Sequence, residues 1–343
     1  MRDVLVPSEI DPVPPPAGSS LRRAAGRTMG TAWSAQMVVP AAVTADLDAA
    51  LRRELDEIVV QMSHWEPESL LARYNGAPAG SWHALPPQWF EVMDFALRVH
   101  DDTGGAFDPA AGALVRLWGF GPVGRHDQAG FRAPEPQAVA AALATRAAGT
   151  PQLDRAGRRL LQPGGVLLDL SSSAKGYAVD RLGICLERHG VRHYLVEVGG
   201  ELRGAGVKPG GDPWWVEVEG VPAVGSSMGS GAGSSTVAPL VALHGLAIAT
   251  SGDYRSYYQH GPRRASHTLD PRSGHPIANE VASCTVVASS CMAADALSTA
   301  LTVMGVESGI AFADTRNIAA RYLVRRGGRL IETTSAAWRG LLQ

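Results

Sequence analysis

Apolar residues return at helical spacing at Leu47, Leu51, Leu55, Ile58 and Met62, with Glu54 and Asp56 on the polar side. The spacing predicts a helix capped by Thr44. A second helix is expected from Pro87 to about Thr103, stopped by Gly104-Gly105, and the alanine-rich stretch 135–147 reads as a third. Further helices are expected from near Ala174, over 291–304 and over 307–315. Strand patterns fall between them: 28–39, the short apolar run Gly165–Leu170, and Arg192–Val198 ending at Gly199-Gly200. Others lie near 240–250, at 264–269, in the β-branched run Val281–Ala288, and in a terminal hairpin at 318–332 turning at Gly327-Gly328. Strands and helices alternate without a clean βαβ period, which favours an α+β or mixed-sheet domain. Two stretches lack such patterning. Residues 1–24 are polar and proline-rich and are expected to form a disordered or loosely packed arm. Residues 221–237 are dominated by Gly, Ser and Ala and read as a flexible surface loop.

Composition narrows the function classes. With 343 residues the chain can build one large domain or two moderate ones. The formal net charge is only -2, so bulk electrostatics offers no reason to expect nucleic acid, and a small ligand or a protein partner is the default. No apolar run approaches the roughly 18 residues of a membrane span. The N-terminal stretch shows neither an export signal nor a cysteine for a lipid anchor. Cys185, Cys284 and Cys291 are flanked by apolar residues and form no CxxC or metal spacing. They are expected to be small core side chains. A reducing compartment suits them, and the expected location is the cytoplasm.

Four clusters combine small residues with a charged group. In Ala106-Phe107-Asp108-Pro109, continuing through Gly112 to Trp118-Gly119-Phe120-Gly121, the proline holds Asp108 extended so that its carboxylate projects from a turn. The aromatic–glycine alternation suits a loop packed on something flat. An Asx-turn beside a core tryptophan explains the same residues. Second, Leu168-Asp169-Leu170 passes through Ser171, Ser172 and Ser173 into a helix start carrying Lys175 and ending at Asp180. A helix N-terminus plus a cation can hold phosphate, although the P-loop spacing is absent, and a capped helix with a surface lysine fits equally. Third, His267 lies between the hydroxyl-rich run Ala249–Tyr254 and the turn Asp270-Pro271-Arg272-Ser273-Gly274. An ordinary imidazole titrates near neutrality and can take a proton from a hydroxyl; a structural histidine is the plainer reading. Fourth, Asp295 and Thr299 are four apart, so a helix stacks a carboxylate and a hydroxyl on one face. These hard oxygen ligands suit Mg²⁺; a simple i,i+4 hydrogen bond is the other reading.

Together and in this order, the clusters resemble the ApbE family of FAD:protein FMN transferases. The resemblance runs from about Met29 to near the C-terminus. It includes Met29-Gly30-Thr31, Met62-Ser63 to Asn75, Ala106–Asp108 with Leu117–Gly121, Asp169 to Asp180, Val198-Gly199-Gly200, Ala249–Asp253, Ser266–Gly274 and Ala294–Thr299. It implies one α+β domain over 25–343 with a mixed, largely antiparallel sheet core, flanking helices, and FAD in a cleft between parts of the chain. It also implies FAD contacts at Met29, Trp65, Leu70, Ala106, Phe107, Asp108, Asp169, Lys175 and Leu269. The implied metal site is Asp295 and Thr299 by side chain and Ser172 by backbone carbonyl, and His267 is the implied base. The implied reaction is attack by a Thr or Ser hydroxyl of a target flavoprotein on the FMN-side phosphorus of FAD, with Mg²⁺ on the pyrophosphate and AMP leaving. The chain departs from the common pattern at Ser171-Ser172-Ser173, where many members carry glycine and an aliphatic residue, and at Trp65, where tyrosine is common. Arg255 and Arg272 are further polar candidates. Two other readings use the same residues: a Mg²⁺-dependent FAD pyrophosphatase with water as nucleophile, and a non-catalytic FAD-binding protein.

Overall fold

The computed structural model describes residues 3–7, 9–10, 13–221, 238–253, 257–260 and 263–342. The expected glycine-rich loop lies outside these residues except for Val221, which is buried. Helices occupy Leu47–Met62 (α1), Leu70–Asn75 (α2), Pro87–Asp102 (α3), Gly112–Leu117 (α4), Pro136–Ala148 (α5), Ala174–Arg188 (α6), Cys291–Met304 (α7), Val306–Thr315 (α8) and Ala336–Gly340 (α9). The helices expected from the sequence are present as α1, α3, α5, α6, α7 and α8. In α3, Pro87 sits in the first turn, where its missing N–H costs nothing, and Trp89, Val92, Met93, Ala96 and Val99 form the buried face. The α1 cap is Asp46 rather than Thr44: its Oδ1 accepts from the N–H of Ala49 at 3.1 Å.

The chain divides into two compact units. The first comprises Met1–Asp56, Lys175–Tyr254 and Glu280–Gln343, and the second Glu57–Ala174 and Arg255–Asn279. The first unit holds an eight-stranded sheet: Ser20–Thr28 (β1), Thr31–Val39 (β2), Tyr194–Val198 (β3), Glu201–Ala205 (β4), Leu246–Gly252 (β5), Val281–Ala288 (β6), Ala319–Arg326 (β7) and Arg329–Thr334 (β8). Spatial order equals chain order, and every adjacent pair is antiparallel. Both faces of the middle strands are covered. Ile248 and Val287 join a cluster with Val38, Trp214 and Trp338. Their neighbours Ala249 and Val286 point the other way, into a cluster with Leu301 of α7 and Tyr322. Burial on both faces is why β6 is buried at seven successive positions, Ser283 and Thr285 included, instead of at alternate ones.

A smaller sheet in the same unit contains one parallel pair, Val4–Leu5 with Leu240–Leu243, so the strand pairing is mixed but largely antiparallel. This corrects the expectation of a loose arm over 1–24. Leu5 is fully buried beside Trp214 and Trp338, and Ser20–Ala24 is already strand β1. One apolar anchor that finds both a sheet partner and a core is enough to order a polar, proline-rich segment locally.

The second unit carries α2 to α5, a three-stranded sheet (Trp82–Ala84, Arg159–Leu161, Gln152–Asp154), and two hairpins, Tyr257–His260 with Arg263–Ser266 and Leu269–Asp270 with His275–Pro276. Gly165–Leu170 is not a strand. Its backbone groups pair instead with a side chain and a loop. The Asn75 amide donates to Leu168 O at 3.0 Å and accepts from Leu168 N at 2.8 Å, and Asp169 N donates to Pro109 O at 2.8 Å. The strand expected at 264–269 is broken, and His267-Thr268 occupies the break.

Candidate active site

The first unit holds Met29, Lys175, Asp295 and Thr299. Met29 sits in the β1–β2 turn at φ 47°, followed by Gly30 at φ 73°, flanked by the pair Thr28–Thr31. Two residues with positive φ match the twist of a two-residue hairpin, but a methionine there is strained by about 1 kcal/mol.

Lys175 and Asp295 are placed by the meeting of α6 and α7. A Cβ on Gly176 would lie 2.3 Å from Cys291 O and 2.8 Å from Asp295 Cβ, so only glycine allows this approach. The buried Asp295 carboxylate accepts from Gly176 N at 3.0 Å through Oδ2, and Thr299 stands one turn further along α7, half-buried. Asp180 of α6 caps α7: it accepts from Ser290 Oγ at 2.8 Å, Cys291 N at 3.0 Å and Met292 N at 2.9 Å, while Arg203 pairs with it at 2.7 Å. Lys175 Nζ lies 2.5 Å from Oε1 of Glu201, a side chain only 3 % exposed, whose Oε2 has no hydrogen-bond partner among the described residues. Burial first, then the carboxylates of Asp180, Glu201 and Asp295, push the Cys291 thiol well above its usual range, against the opposing charge of Lys175. The α6–α7 meeting point thus gathers the carboxylates of Asp180, Glu201 and Asp295 with the cations of Lys175 and Arg203.

The second unit holds the other expected residues and brings four separate segments together. Asp108 makes the Asx-turn, accepting from Ala110 N at 2.9 Å, and its carboxylate is also gripped by Arg146 at 2.8 and 3.2 Å. The carboxylate is thereby committed inside the unit. Ala106 and Phe107 are buried, with Phe107 N donating to Thr103 Oγ1 at 3.2 Å and His100 Nδ1 2.9 Å from Phe107 O. Trp118 is the core tryptophan; its indole N–H donates to Gly274 O at 2.7 Å, which fastens the turn after His267. Leu269 packs in the same cluster with Leu114, Trp118 and Val139. His267 is half-buried, its ring edge-on to Phe120 at 6.2 Å. Arg272 is tied to Asp270 at 2.9 Å; Arg255 lies outside the described residues.

Asp169 accepts from Ser171 N at 2.8 Å through Oδ1 and has His64 Nδ1 3.4 Å from Oδ2. Ser172 is half-buried in the turn that follows. Trp65 is 48 % exposed with the Arg125 guanidinium 5.6 Å from its ring centre, and Leu70 opens α2 behind the Ser69 cap. A cleft of about 230 Å³ is lined by His64, Asn75, Gly112, Arg116, Leu168 and Asp169, among others. Sequence reasoning gave no role to His64, Glu201 or Asp180. Their only local signals are the position of His64 inside the Met62–Asn75 segment, the Gly199-Gly200 turn before Glu201, and the helical spacing of Gly176 and Asp180.

The α+β fold thus carries the imidazole of His267 in one unit and the carboxylates and hydroxyl of the α6–α7 meeting point in the other. The sequence model of the ApbE family matches residues 29–322, and the chain belongs to that family. A relative from Vibrio cholerae serotype O1 called FAD:protein FMN transferase is 35 % identical over 320 residues, covering 92 % of this chain and 91 % of the relative. One of the same name from Klebsiella pneumoniae is 33 % identical over 88 % of this chain and 84 % of its own length. Among solved structures, the apo Pseudomonas stutzeri flavinyl transferase ApbE superposes with a TM-score of 0.82 at 36 % identity, covering 94 % of this chain and 97 % of that one. The flavin transferase ApbE from Vibrio cholerae gives 0.82 at 34 % identity, covering 94 % and 100 %.

Proposed function

We propose that this chain is a FAD:protein FMN transferase that links the FMN half of FAD to a Thr or Ser hydroxyl of a target flavoprotein and releases AMP. The observation that carries the reading is the family match over 29–322, together with relatives of that one name covering most of the chain. In the reaction the acceptor hydroxyl oxygen bonds to the FMN-side phosphorus, the bond from that phosphorus to the bridging oxygen breaks, and AMP leaves with that oxygen. His267 takes the hydroxyl proton as the new bond forms. Met29, Trp65, Leu70, Ala106, Phe107, Asp108, Asp169, Lys175 and Leu269 are the proposed FAD contacts. The buried Asp108 carboxylate is already paired with Arg146, which leaves contact there to its backbone or its neighbours.

The residues of α7 fit a hard divalent cation. Asp295 and Thr299 offer carboxylate and hydroxyl oxygens one turn apart on α7, with the Ser172 carbonyl as the third assigned donor. Mg²⁺ held there supplies charge neutralisation of the pyrophosphate. Among the described residues no helix is long and apolar enough to cross a membrane. The three cysteines are buried and free, which suits a reducing compartment, and on that ground the reading places the enzyme in the cytoplasm. Incubation with FAD, MgCl₂ and a candidate acceptor flavoprotein tests the proposal. Covalent flavin fluorescence on a denaturing gel is expected, and it should vanish with His267→Ala and with Asp295→Ala. Undiminished labelling by both variants would overturn the assigned roles.

A further inference from the structure

The ion pair between Lys175 and Glu201 carries an inference about how the pyrophosphate of FAD is held, and it rests on the FAD reading above. Of the 31 lysines and arginines in the chain, only Lys175 and Lys208 are lysines. Nearly every cation is thus a guanidinium, and a compact ammonium at position 175 is an exception. The position does not serve the helix. Lys175 is the second residue of α6, where the helix dipole disfavours a cation. What holds it there is Glu201, whose side chain is 3 % exposed and whose Oε1 lies 2.5 Å from Nζ.

The glutamate is fixed in its turn. Gly199 and Gly200, at φ 64° and 99°, turn the chain into β4, which Glu201 opens. A Cβ on Gly199 would lie 2.9 Å from Thr31 Cγ2 and 3.4 Å from Glu201 Oε2, so glycine makes room for the carboxylate beside the strand that begins just after Met29 and Gly30. Oε2 itself has no hydrogen-bond partner among the described residues. A buried carboxylate so placed depends on its counter-ion. The lysine is thereby held in one place instead of sampling the many rotamers of a surface lysine, while its side chain stays 29 % exposed and within reach of a ligand. A glutamate that holds a lysine on nucleotide phosphates is also the arrangement of protein kinases, where the pair must be intact for phosphoryl transfer.

We propose that Glu201 is a positioning residue for this reaction: it fixes the Lys175 ammonium where that group donates to the pyrophosphate of FAD. A phosphate oxygen held by a fixed cation forms a charge-assisted hydrogen bond without the cost of ordering a long side chain. A glutamate that merely balanced charge would instead compete with phosphate for the lysine, and its loss would strengthen FAD binding.

FAD affinity of the full chain is measured by flavin fluorescence titration in EDTA, so that Mg²⁺ does not contribute, for the wild type, Glu201→Gln, Lys175→Met and the double variant. Each single substitution should weaken FAD binding about tenfold, the loss expected for one charge-assisted hydrogen bond. The double variant should bind no more weakly than Lys175→Met, because Glu201 acts through the lysine. Two losses that multiply, or a Glu201→Gln variant that binds FAD as tightly as the wild type or tighter, overturn the inference. Acylation by an amine reagent, read by mass spectrometry, gives a second measure that a general structural defect does not imitate. Lys175 should be acylated faster in Glu201→Gln than in the wild type while Lys208 is unchanged, and FAD should shield Lys175 but not Lys208 in the wild type. Acceleration of both lysines, or a wild type whose Lys175 is left unshielded by bound FAD, overturns the inference even where no variant folds. Either outcome leaves the transferase reading standing. A wild type that does not bind FAD at all refutes that reading, and this inference with it.

Discussion

His267 is where the chemistry is most exposed to test. Its ring is half-buried in a break between two short strands, and the turn beyond it is fastened by Trp118 to Gly274. Replacing it with alanine should lower the transfer rate by about 100- to 10,000-fold, the usual contribution of a general base. FAD affinity, measured by titration, should change little, because no ground-state contact is assigned to the imidazole. A large rise in the FAD dissociation constant with an unchanged rate would reassign it as a binding residue. Asp270, three residues on, gives a prediction about acid. Burial pushes its carboxyl up, but the hydrogen bonds from the Arg272 side chain and backbone outweigh this and hold it below the usual range. Because the folded value is depressed, the stabilisation is full above the ordinary aspartate range and is lost as the pH falls through the folded value. Asp270→Asn should therefore cost stability at pH 7, and the difference from the wild type should shrink as the pH falls below about 4. The difference at pH 7 should be no more than about 1 kcal/mol, since the partner Arg272 is largely exposed. Urea melts at the two pH values check this.

The helix pair α6–α7 connects sequence to site most directly. Gly176 permits the approach, Asp180 caps α7, and Asp295 closes the contact by accepting from Gly176 N. Gly176→Ala forces a Cβ into the Cys291 backbone and should destabilise by at least the 1–3 kcal/mol typical of overpacking. Asp180→Ala removes three hydrogen-bond acceptances and leaves Arg203 without its carboxylate; by analogy with broken buried ion pairs it should cost about 3–5 kcal/mol. Denaturant titration measures both. A loss under 0.5 kcal/mol, the ordinary range for an uninvolved surface site, would contradict this account of the contact.

The same helices show what was legible beforehand. Helical spacing placed α1, whose buried stripe repeats along its length, whereas α5, which buries only Val139, was read from its alanine content. The strands of three residues at Trp82–Ala84, Gln152–Asp154 and Arg159–Leu161 are too short to carry a pattern, and none was anticipated. Gly165–Leu170 looked like a strand because it is apolar and extended, yet its partner is the side chain of Asn75. The site divides in the same way. His267, Asp295 and Thr299 are singled out as candidates by the order of the clusters in which they lie. Glu201 and His64 were not, because what distinguishes them is a partner distant in the chain: Lys175 for one, Asp169 for the other.

Taken whole, the chain is a largely antiparallel α+β protein whose candidate catalytic groups are distributed over both compact units. Its three cysteines are 3 %, 0 % and 0 % exposed, and burial leads the upward shift of each thiol. Thiol reagents at neutral pH should therefore label the native protein far more slowly than the urea-unfolded chain, and rapid native labelling would contradict the burial described. The central claim, group transfer to protein, is tested most directly by following two products of one reaction. The protein is incubated with FAD and MgCl₂, with and without a candidate acceptor flavoprotein, and AMP release is measured beside acceptor-bound FMN by mass spectrometry. The account predicts AMP and protein-bound FMN in equal amounts, and little AMP when the acceptor is withheld. Rapid release of AMP and free FMN without acceptor, and no FMN on any protein, would contradict it and make the chain a pyrophosphatase.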